Sequence, residues 1–289
     1  MKKEKISPEK ISQDLIAFGV KRGDTLLVRA DLSQVGMLTT KNKMDYIDAI
    51  LDCIGEEGTL IGLSFSRDSI LRVNKENIFD GTNKSYVGAF SNLMLKHKKA
   101  SRSTHPTNSY VAIGRFANEL TVSHTEMSGA YDLIEKVIEL NGKMLLIGCV
   151  DSSPGFTTTH LAEVKLNLHK RIIFPSFNKV LYLKNGQVNL FKRKDLGSCS
   201  STFYKFYAYY VREKILKQGI VGNAYTILVD AKDAYAVDKR VLMQYPKITI
   251  CDNKNCFTCR TRRWDNIKDS PLYLVRFIWH YIRYRKILK

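Results

Sequence analysis

Short apolar runs alternate with amphipathic helical patterns through most of this chain, and no other feature limits its fold as strongly. The runs at 25–28, 59–63 and 143–150 each have the length and apolar content of a buried strand. The segments 43–54 and 133–140 repeat apolar residues at the spacing of a helix with one buried face. This alternation predicts an α/β fold, with helices layered on both sides of a central mixed sheet.

Local signals predict further elements. A helix is predicted to begin at Ser7 and Pro8, a capping residue followed by a first-turn proline. An Asn-Gly pair predicts the turn of a hairpin over 180–191. The segment 201–218 is a predicted helix ended by the glycine that follows it, and 64–85 is a predicted irregular, polar insertion.

The composition is that of a globular protein with a strong positive charge. Hydrophobic residues make up 44% of the 289 residues, enough to fill a core and too many for a disordered chain. Lys and Arg number 46 against 28 Asp and Glu, which gives a formal net charge of +18. This charge favours an anionic partner, although a merely lysine-rich composition would produce it as well.

The sequence indicates a cytoplasmic protein. The basic residues at its start are not followed by an apolar stretch, so no signal peptide is predicted. No apolar run reaches the ~18 residues of a membrane span. Three of the six cysteines lie in or beside predicted core elements, unlike those of a secreted disulfide-rich domain.

The chain changes in character after residue 250. We expect one domain over 1–250 and a basic, cysteine-containing tail over 251–289. The helix predicted over 271–289 combines basic and aromatic side chains, which suits peripheral contact with an anionic membrane. Packing on the core or on a partner subunit is the competing interpretation. Nucleic-acid binding is disfavoured, because no recognised module is present.

Three cysteines begin the tail. Cys256 and Cys259 have the spacing of one half of a zinc ribbon, and Cys251 lies five residues earlier, but no second pair follows. Unpaired structural thiols are the favoured interpretation, and metal binding by these residues stays open.

A histidine and a glutamate three residues apart follow the strand predicted at 143–150. In a helix, His160 and Glu163 share one face, at the strand's carboxyl end, where open α/β sheets bind ligands. Histidine is the usual general base near neutral pH, and a neighbouring carboxylate orients its ring. Taken alone, such a pair is more often a surface pair or half of a metal site.

A polar segment over 102–109 is a second candidate. His105 precedes a proline, which disfavours helix and predicts an extended loop. This loop would present Arg102 and backbone groups to a phosphate or an amide-rich ligand.

These segments belong to one ordered series of motifs. The series comprises Gly23–Val28, Leu32–Gly36, Gly55–Leu60, Arg102–Ser109, Gly142–Gly148, Thr157–Glu163, Gly197–Cys199 and Gly219–Ala224. It resembles the aminoglycoside 3-N-acetyltransferase family over about residues 7–250, and the agreement of several spaced motifs makes the resemblance specific. The resemblance implies an acyltransferase that moves an acetyl group from acetyl-CoA to an amine and needs no metal.

The resemblance also implies roles for single residues. His160 corresponds to the family's catalytic histidine and Glu163 to its carboxylate partner. Arg102, His105 and Ser109 correspond to the stretch that lines the acetyl-CoA channel.

Further candidate residues belong to the cofactor end of the implied site. Ser33 and Gly36 correspond to the loop near the thioester. The hydroxyls of Thr157 and Thr159, or backbone N–H groups at the start of their helix, would stabilise the oxyanion formed when the thioester is attacked.

The chain differs from the family's usual pattern in three places. Arg29–Leu32 replaces a common His-Ser-Ser-Leu, Gly129–Asp132 replaces a Ser-Pro pair, and Phe156 stands where asparagine is common. These differences concern the acceptor more than the reaction.

The charge leads to a prediction about that acceptor. Aminoglycosides are polycations and call for carboxylates, whereas this chain is strongly cationic. The predicted acceptor is therefore an anionic amino sugar, such as a nucleotide-linked sugar of surface polysaccharide synthesis. The alternatives are an aminoglycoside, as in antibiotic resistance, and an inactive membrane-peripheral scaffold of the same fold.

Direct transfer is the predicted mechanism. The competing mechanism uses a thiolate of Cys149 or Cys199 to form an acetyl-cysteine, with His160 as base. Cys149 falls inside a predicted strand, where a buried structural thiol is the more common case.

Overall fold

A computed structural model gives the fold of most of the chain. It describes residues 5–67, 69–70, 77–171, 178–193, 195–253, 256–260, 275, 278–279 and 282–283. Among them the strands are β1 (Thr25–Ala30), β2 (Thr59–Leu63), β3 (Ser69–Ile70), β4 (Ile78–Phe79), β5 (Ser101–Arg102), β6 (Tyr110–Gly114), β7 (Lys143–Ile147), β8 (Asn178–Lys184), β9 (Gln187–Lys192), β10 (Lys217–Val221) and β11 (Ala224–Asp230). The α-helices are α1 (Pro8–Ala17), α2 (Leu32–Val35), α3 (Asp45–Ile54), α4 (Ala89–Met94), α5 (Ala117–Val122), α6 (Asp132–Glu139), α7 (Thr158–Lys165), α8 (Tyr207–Arg212), α9 (Ala231–Gln244) and α10 (Phe257–Arg260).

The larger sheet is mixed, as predicted. Its strand order is β10-β11-β7-β1-β2-β6-β5. Strands β7, β1 and β2 are parallel, while β11 and β6 run antiparallel on either side of them. Every residue of β2 and the first four of β1 are buried, because helices cover both faces.

Two apolar cores lie on opposite faces of this sheet. Leu15 of α1 and Ile47 of α3 belong to one core. Leu161 of α7 and Val237 of α9 belong to the other. The predicted α/β/α layering is therefore confirmed. The carboxyl ends of the parallel strands meet at one edge, where α2 follows β1 and α7 follows β7.

A small second sheet forms beside the main one. Strand β8 pairs with β3, β4 and β9. The hairpin of β8 and β9 turns at Asn185 and Gly186, which have φ of +52° and +75°, as the Asn-Gly signal predicts. The insertion over 64–85 thus contributes two short strands and is not wholly irregular.

The predicted helix over 201–218 is wrong in its second half. A 3-10 turn over Phe203–Phe206 leads into α8, which ends before Lys214, a residue with φ of +59°. The chain then forms β10, paired antiparallel with β11 around a Gly222-Asn223 turn. This Gly-Asn pair is itself a hairpin signal, and strand pairing along the sheet outweighed the helical pattern.

The tail is described in part. Cys251 is buried. The division of the chain after residue 250 stays a prediction. Most of the helix predicted over 271–289 lies outside the described residues. The members that are described are helical and exposed, namely Val275, Ile278, Trp279, Ile282 and Arg283. No helix within the described ranges is long and apolar enough to cross a membrane.

Candidate active site

Helix α7 places His160 at the carboxyl edge of the parallel strands. The chain leaves β7 at Ile147, crosses a loop, and enters α7 at Thr158. Glu163 lies one turn further along α7, so both side chains project from one face. The predicted strand over 143–150 and the helix that follows it are both confirmed.

The two side chains form a hydrogen-bonded pair. His160 Nδ1 lies 3.1 Å from Glu163 Oε2. The glutamate is fully buried, and the histidine side chain is 16% exposed. Because the carboxylate accepts at Nδ1, the ring carries its proton there in the neutral form and presents Nε2 as an acceptor. That tautomer is the one required of a general base acting through Nε2.

The loop before α8 holds the pair from the other side. The backbone N–H of Ser198 donates to Glu163 Oε2 at 2.9 Å. Gly197 packs directly on the imidazole, and a Cβ at this position would lie 2.2 Å from His160 Nδ1. Only glycine permits this approach, so the loop fixes both the carboxylate and the ring.

Two aromatic rings flank the imidazole. Tyr131 stacks on His160 with ring centroids 4.9 Å apart and an interplanar angle of 18°. Phe203 approaches it edge-on at 4.7 Å. Rings on two sides leave the histidine one orientation, with its free edge toward the neighbouring cavity.

This edge faces a polar cavity of about 460 Å³, large enough for a sugar-sized ligand. Its wall includes Thr157, Asn108 and Asn178, and two arginines, Arg29 and Arg193. No aspartate or glutamate is present among the described residues that line it.

Both arginines are partly engaged by the protein. Arg29 donates to the carbonyl of Gly155 at 2.8 Å and also to Ser153, so it shapes the loop before α7. Arg193 lies 3.0 Å from the Tyr131 hydroxyl and 3.6 Å from Asp195. The carboxylate of Asp195 offsets part of the positive charge at the rim.

A second cavity, of about 650 Å³, lies beside α2. Ser33 and Gly36 line it, together with apolar side chains of α4. Lys43 and Lys96 are exposed in its wall and can offer ammonium groups to phosphates. Two segments, Tyr86–Asn92 and Arg29–Ser33, each contribute residues to the walls of both this cavity and the His160 cavity. The two cavities are therefore neighbours.

Arg102 and Ser109 line neither cavity. The Arg102 guanidinium lies 3.1 Å from Ser109 Oγ and donates to the carbonyls of Gly81 and Ser64, at 3.1 and 2.8 Å. Burial lowers the pKa of Arg102 to about 10. These contacts attach the insertion to the sheet. The assignment of both residues to cofactor binding stays a prediction.

His105 is likewise surrounded by protein. It is fully buried and stacks on His124 at 4.9 Å. Its Nδ1 accepts the N–H of Asn108 at 3.0 Å. Burial, with His124 beside it, lowers the pKa of His105 to about 2, so the ring stays neutral. This geometry shapes the loop, and a cofactor contact for His105 also stays a prediction.

Several wall residues were missed by sequence reasoning. Tyr131, Phe203 and Arg193 come from three segments that only the fold brings together. Tyr131 lies in a segment that departs from the family's pattern, and this departure is a sequence signal for a residue of the acceptor site. No local sequence signal singles out Phe203 or Arg193.

The two threonines at the start of α7 differ in their surroundings. Thr157 lines the cavity, whereas Thr159 donates to the buried Asp238 at 3.1 Å.

The family model for aminoglycoside 3-N-acetyltransferases matches residues 27–243, three-quarters of the chain. The chain belongs to the aminoglycoside 3-N-acetyltransferase family. A relative is aminoglycoside N(3)-acetyltransferase III of Serratia marcescens, 27% identical over 82% of this chain and 97% of that protein. The predicted family and acyltransferase class are confirmed.

Solved structures of the family share the fold. An AAC-IIIb structure, described as binary with CoASH, has a TM-score of 0.70 and 22% identity, covering 83% of this chain and 97% of that one. A histidine-to-alanine variant of AAC(3)-IVa, in complex with gentamicin, has a TM-score of 0.74 and 23% identity, covering 91% and 98%.

Proposed function

We propose that this protein transfers the acetyl group of acetyl-CoA to an amine of an aminoglycoside-type amino sugar. The observation that carries the proposal is the His160–Glu163 pair, set in a polar cavity of a chain that belongs to this family. The names of the relatives supply the acceptor class.

His160 acts as the general base. An amine attacks a thioester only in its neutral form, so its proton must leave during attack. Nε2 accepts that proton while Glu163 stabilises the imidazolium through Nδ1. The amine nitrogen forms the amide bond, the carbon–sulfur bond breaks, and the proton passes to the departing CoA thiolate. No acyl-enzyme is required when both substrates bind together.

The cavity at Ser33 and Gly36 is the proposed cofactor cleft. Apolar side chains of α4 suit the pantetheine arm, and Lys43 and Lys96 suit the phosphates. A solved neighbour described as binary with CoASH supports a CoA site in this fold. Thr157 and the backbone at the start of α7 are proposed to stabilise the thioester oxyanion.

A phosphate-bearing amino sugar, such as a nucleotide-linked one, is the second candidate acceptor. The wall of the His160 cavity has two arginines and lacks a carboxylate among its described residues. Arg29, Tyr131 and Phe156, which depart from the family's pattern, all line it. Protonated aminoglycoside amines would have to rely on hydroxyl, amide and carbonyl groups there.

Release of free CoA thiol, measured against gentamicin, apramycin and nucleotide-linked amino sugars, tests both candidates. We expect turnover of an aminoglycoside and a product heavier by one acetyl group. Turnover of only the nucleotide-linked sugars would transfer the assignment to the second candidate. Turnover of neither would reject the proposal and favour an inactive scaffold.

Cys149→Ala should retain most of the activity. Cys149 is buried and its Sγ faces the carbonyl of Arg29 at 3.4 Å, away from the described cavity wall. Burial raises the pKa of its thiol, which keeps it protonated and poorly nucleophilic. Steady-state kcat and a search for acetylated protein by mass spectrometry measure this. Loss of turnover in a folded variant would contradict direct transfer.

A cytoplasmic location and peripheral membrane contact stay predictions. The exposed apolar residues Val275, Ile278, Trp279 and Ile282 recur at helical spacing in the tail, as an interfacial helix requires.

A further inference from the structure

We propose that Cys199, Cys251, Cys256 and Cys259 together bind one structural zinc ion. The ion would take no part in acetyl transfer, although Cys199 lies in the wall of the His160 cavity. It adds a fourth ligand, from the loop beside the active site, to the three tail cysteines.

The four sulfur atoms already form a cluster of the right size. All four Sγ atoms lie within 4.8 Å of one another, and Cys199 and Cys259 approach to 3.4 Å. Zinc–thiolate bonds of ~2.3 Å in a tetrahedron place ligand sulfurs about 3.8 Å apart. The side chains can therefore close around the ion by changing their sulfur–sulfur distances by about 1 Å or less.

The ligand set and its surroundings are those of a structural zinc centre. Cys256 and Cys259 supply the Cys-x2-Cys turn that such sites use. Cys251 and Cys259 are buried, and the backbone N–H of Cys251 points at the Cys259 sulfur at 3.5 Å. Such N–H donors support thiolate ligands. Four soft thiolates select zinc over the hard cations.

Charge and protons balance simply. Four thiols lose four protons on binding one Zn²⁺, which leaves a centre of formal charge −2. A chain of net charge +18 accommodates a dianionic centre well. None of the four cysteines is joined in a disulfide.

The position of the cluster links the tail to the active site. Cys199 follows Ser198, whose N–H holds Glu163. Thr258, between two of the ligands, lines the His160 cavity. The ion would thus clamp α10 against the loop that orients the catalytic pair.

Metal analysis of the full-length protein, purified under reducing conditions with zinc and without chelator, tests the proposal. We expect about one zinc per chain. A mercurial thiol reagent should release it, and cobalt exchange should give the intense visible bands of tetrahedral thiolate coordination. Neither readout depends on any acceptor, so this test can fail or succeed independently of the proposed activity.

Two variants complete the test. Cys256→Ser should weaken zinc binding by about tenfold or more. Cys53→Ala removes a buried thiol far from the cluster, on α3, and should leave the zinc content unchanged. A wild-type protein with four reactive thiols and no zinc, or one with a Cys199–Cys259 disulfide instead, would overturn the proposal.

Discussion

Replacement of His160 by alanine should lower kcat about 10²- to 10⁴-fold, the range that general-base catalysis supplies. The loss should fall mainly on kcat, because the Ser33 cavity that would bind acetyl-CoA does not include His160. Steady-state kinetics with the accepted amino sugar, at saturating acetyl-CoA, measures the effect. Retained turnover in a folded variant would reject His160 as the base.

Matched variants separate this loss from general damage. His97→Ala removes a histidine that faces Asp48 on the other side of the sheet and should leave kcat near wild type. The kcat of Glu163→Gln should lie between those of His160→Ala and His97→Ala, because an amide cannot stabilise the imidazolium as a carboxylate does. Thermal unfolding of each variant checks that the fold is intact.

Asp238→Asn should stabilise the protein at alkaline pH by as much as about 4 kcal/mol. Asp238 lies on α9 and is fully buried, and the hydroxyls of Tyr210 and Thr159 donate to it. Burial raises the pKa of its carboxyl from 3.8 to about 7. The difference between these values corresponds to about 4 kcal/mol, an upper figure for so buried a group.

The sign of the pH dependence follows from the raised pKa. The folded protein keeps a proton that the unfolded chain releases above pH 3.8, so this contribution to stability is complete below that value. It is lost as the pH rises through about 7. Asparagine is neutral at every pH, so the stability of the Asp238→Asn variant should not show this loss as the pH rises.

Urea unfolding of both proteins between about pH 4 and about pH 8 measures the difference. Asp233→Asn, an exposed change on the same helix, serves as the control and should shift stability by less than about 1 kcal/mol at every pH. If the free energy of unfolding changed with pH in the same way for wild type and Asp238→Asn, this result would contradict the raised pKa.

The elements that sequence predicted best are those with strong local signals. Strands β1, β2 and β7 are buried on both faces and therefore stand out as apolar runs. Helix α7 follows such a run, and its His160–Glu163 pair needs only helical spacing. Strand β10 was missed because its partner across the sheet, not its own composition, stabilises it.

The site was predicted less completely, because its wall is assembled from distant segments. Arg102 follows a family motif, but its polar atoms meet carbonyls of an insertion whose path the sequence did not reveal. Cys199 lies 52 positions before Cys251, and spacing alone could not join it to the tail cysteines. Tertiary packing decided both outcomes.

The His160 cavity is built from two parts of the chain with different evolutionary freedom. The base lies on α7, anchored on the main sheet, whereas Asn178 and Arg193 come from the ends of the β8–β9 hairpin and Tyr86 directly follows the insertion. Surface segments of this kind tolerate exchange and changes in length. A lineage could therefore acquire a new acceptor by remodelling the hairpin and insertion, while the acetyl-transfer chemistry is inherited unchanged.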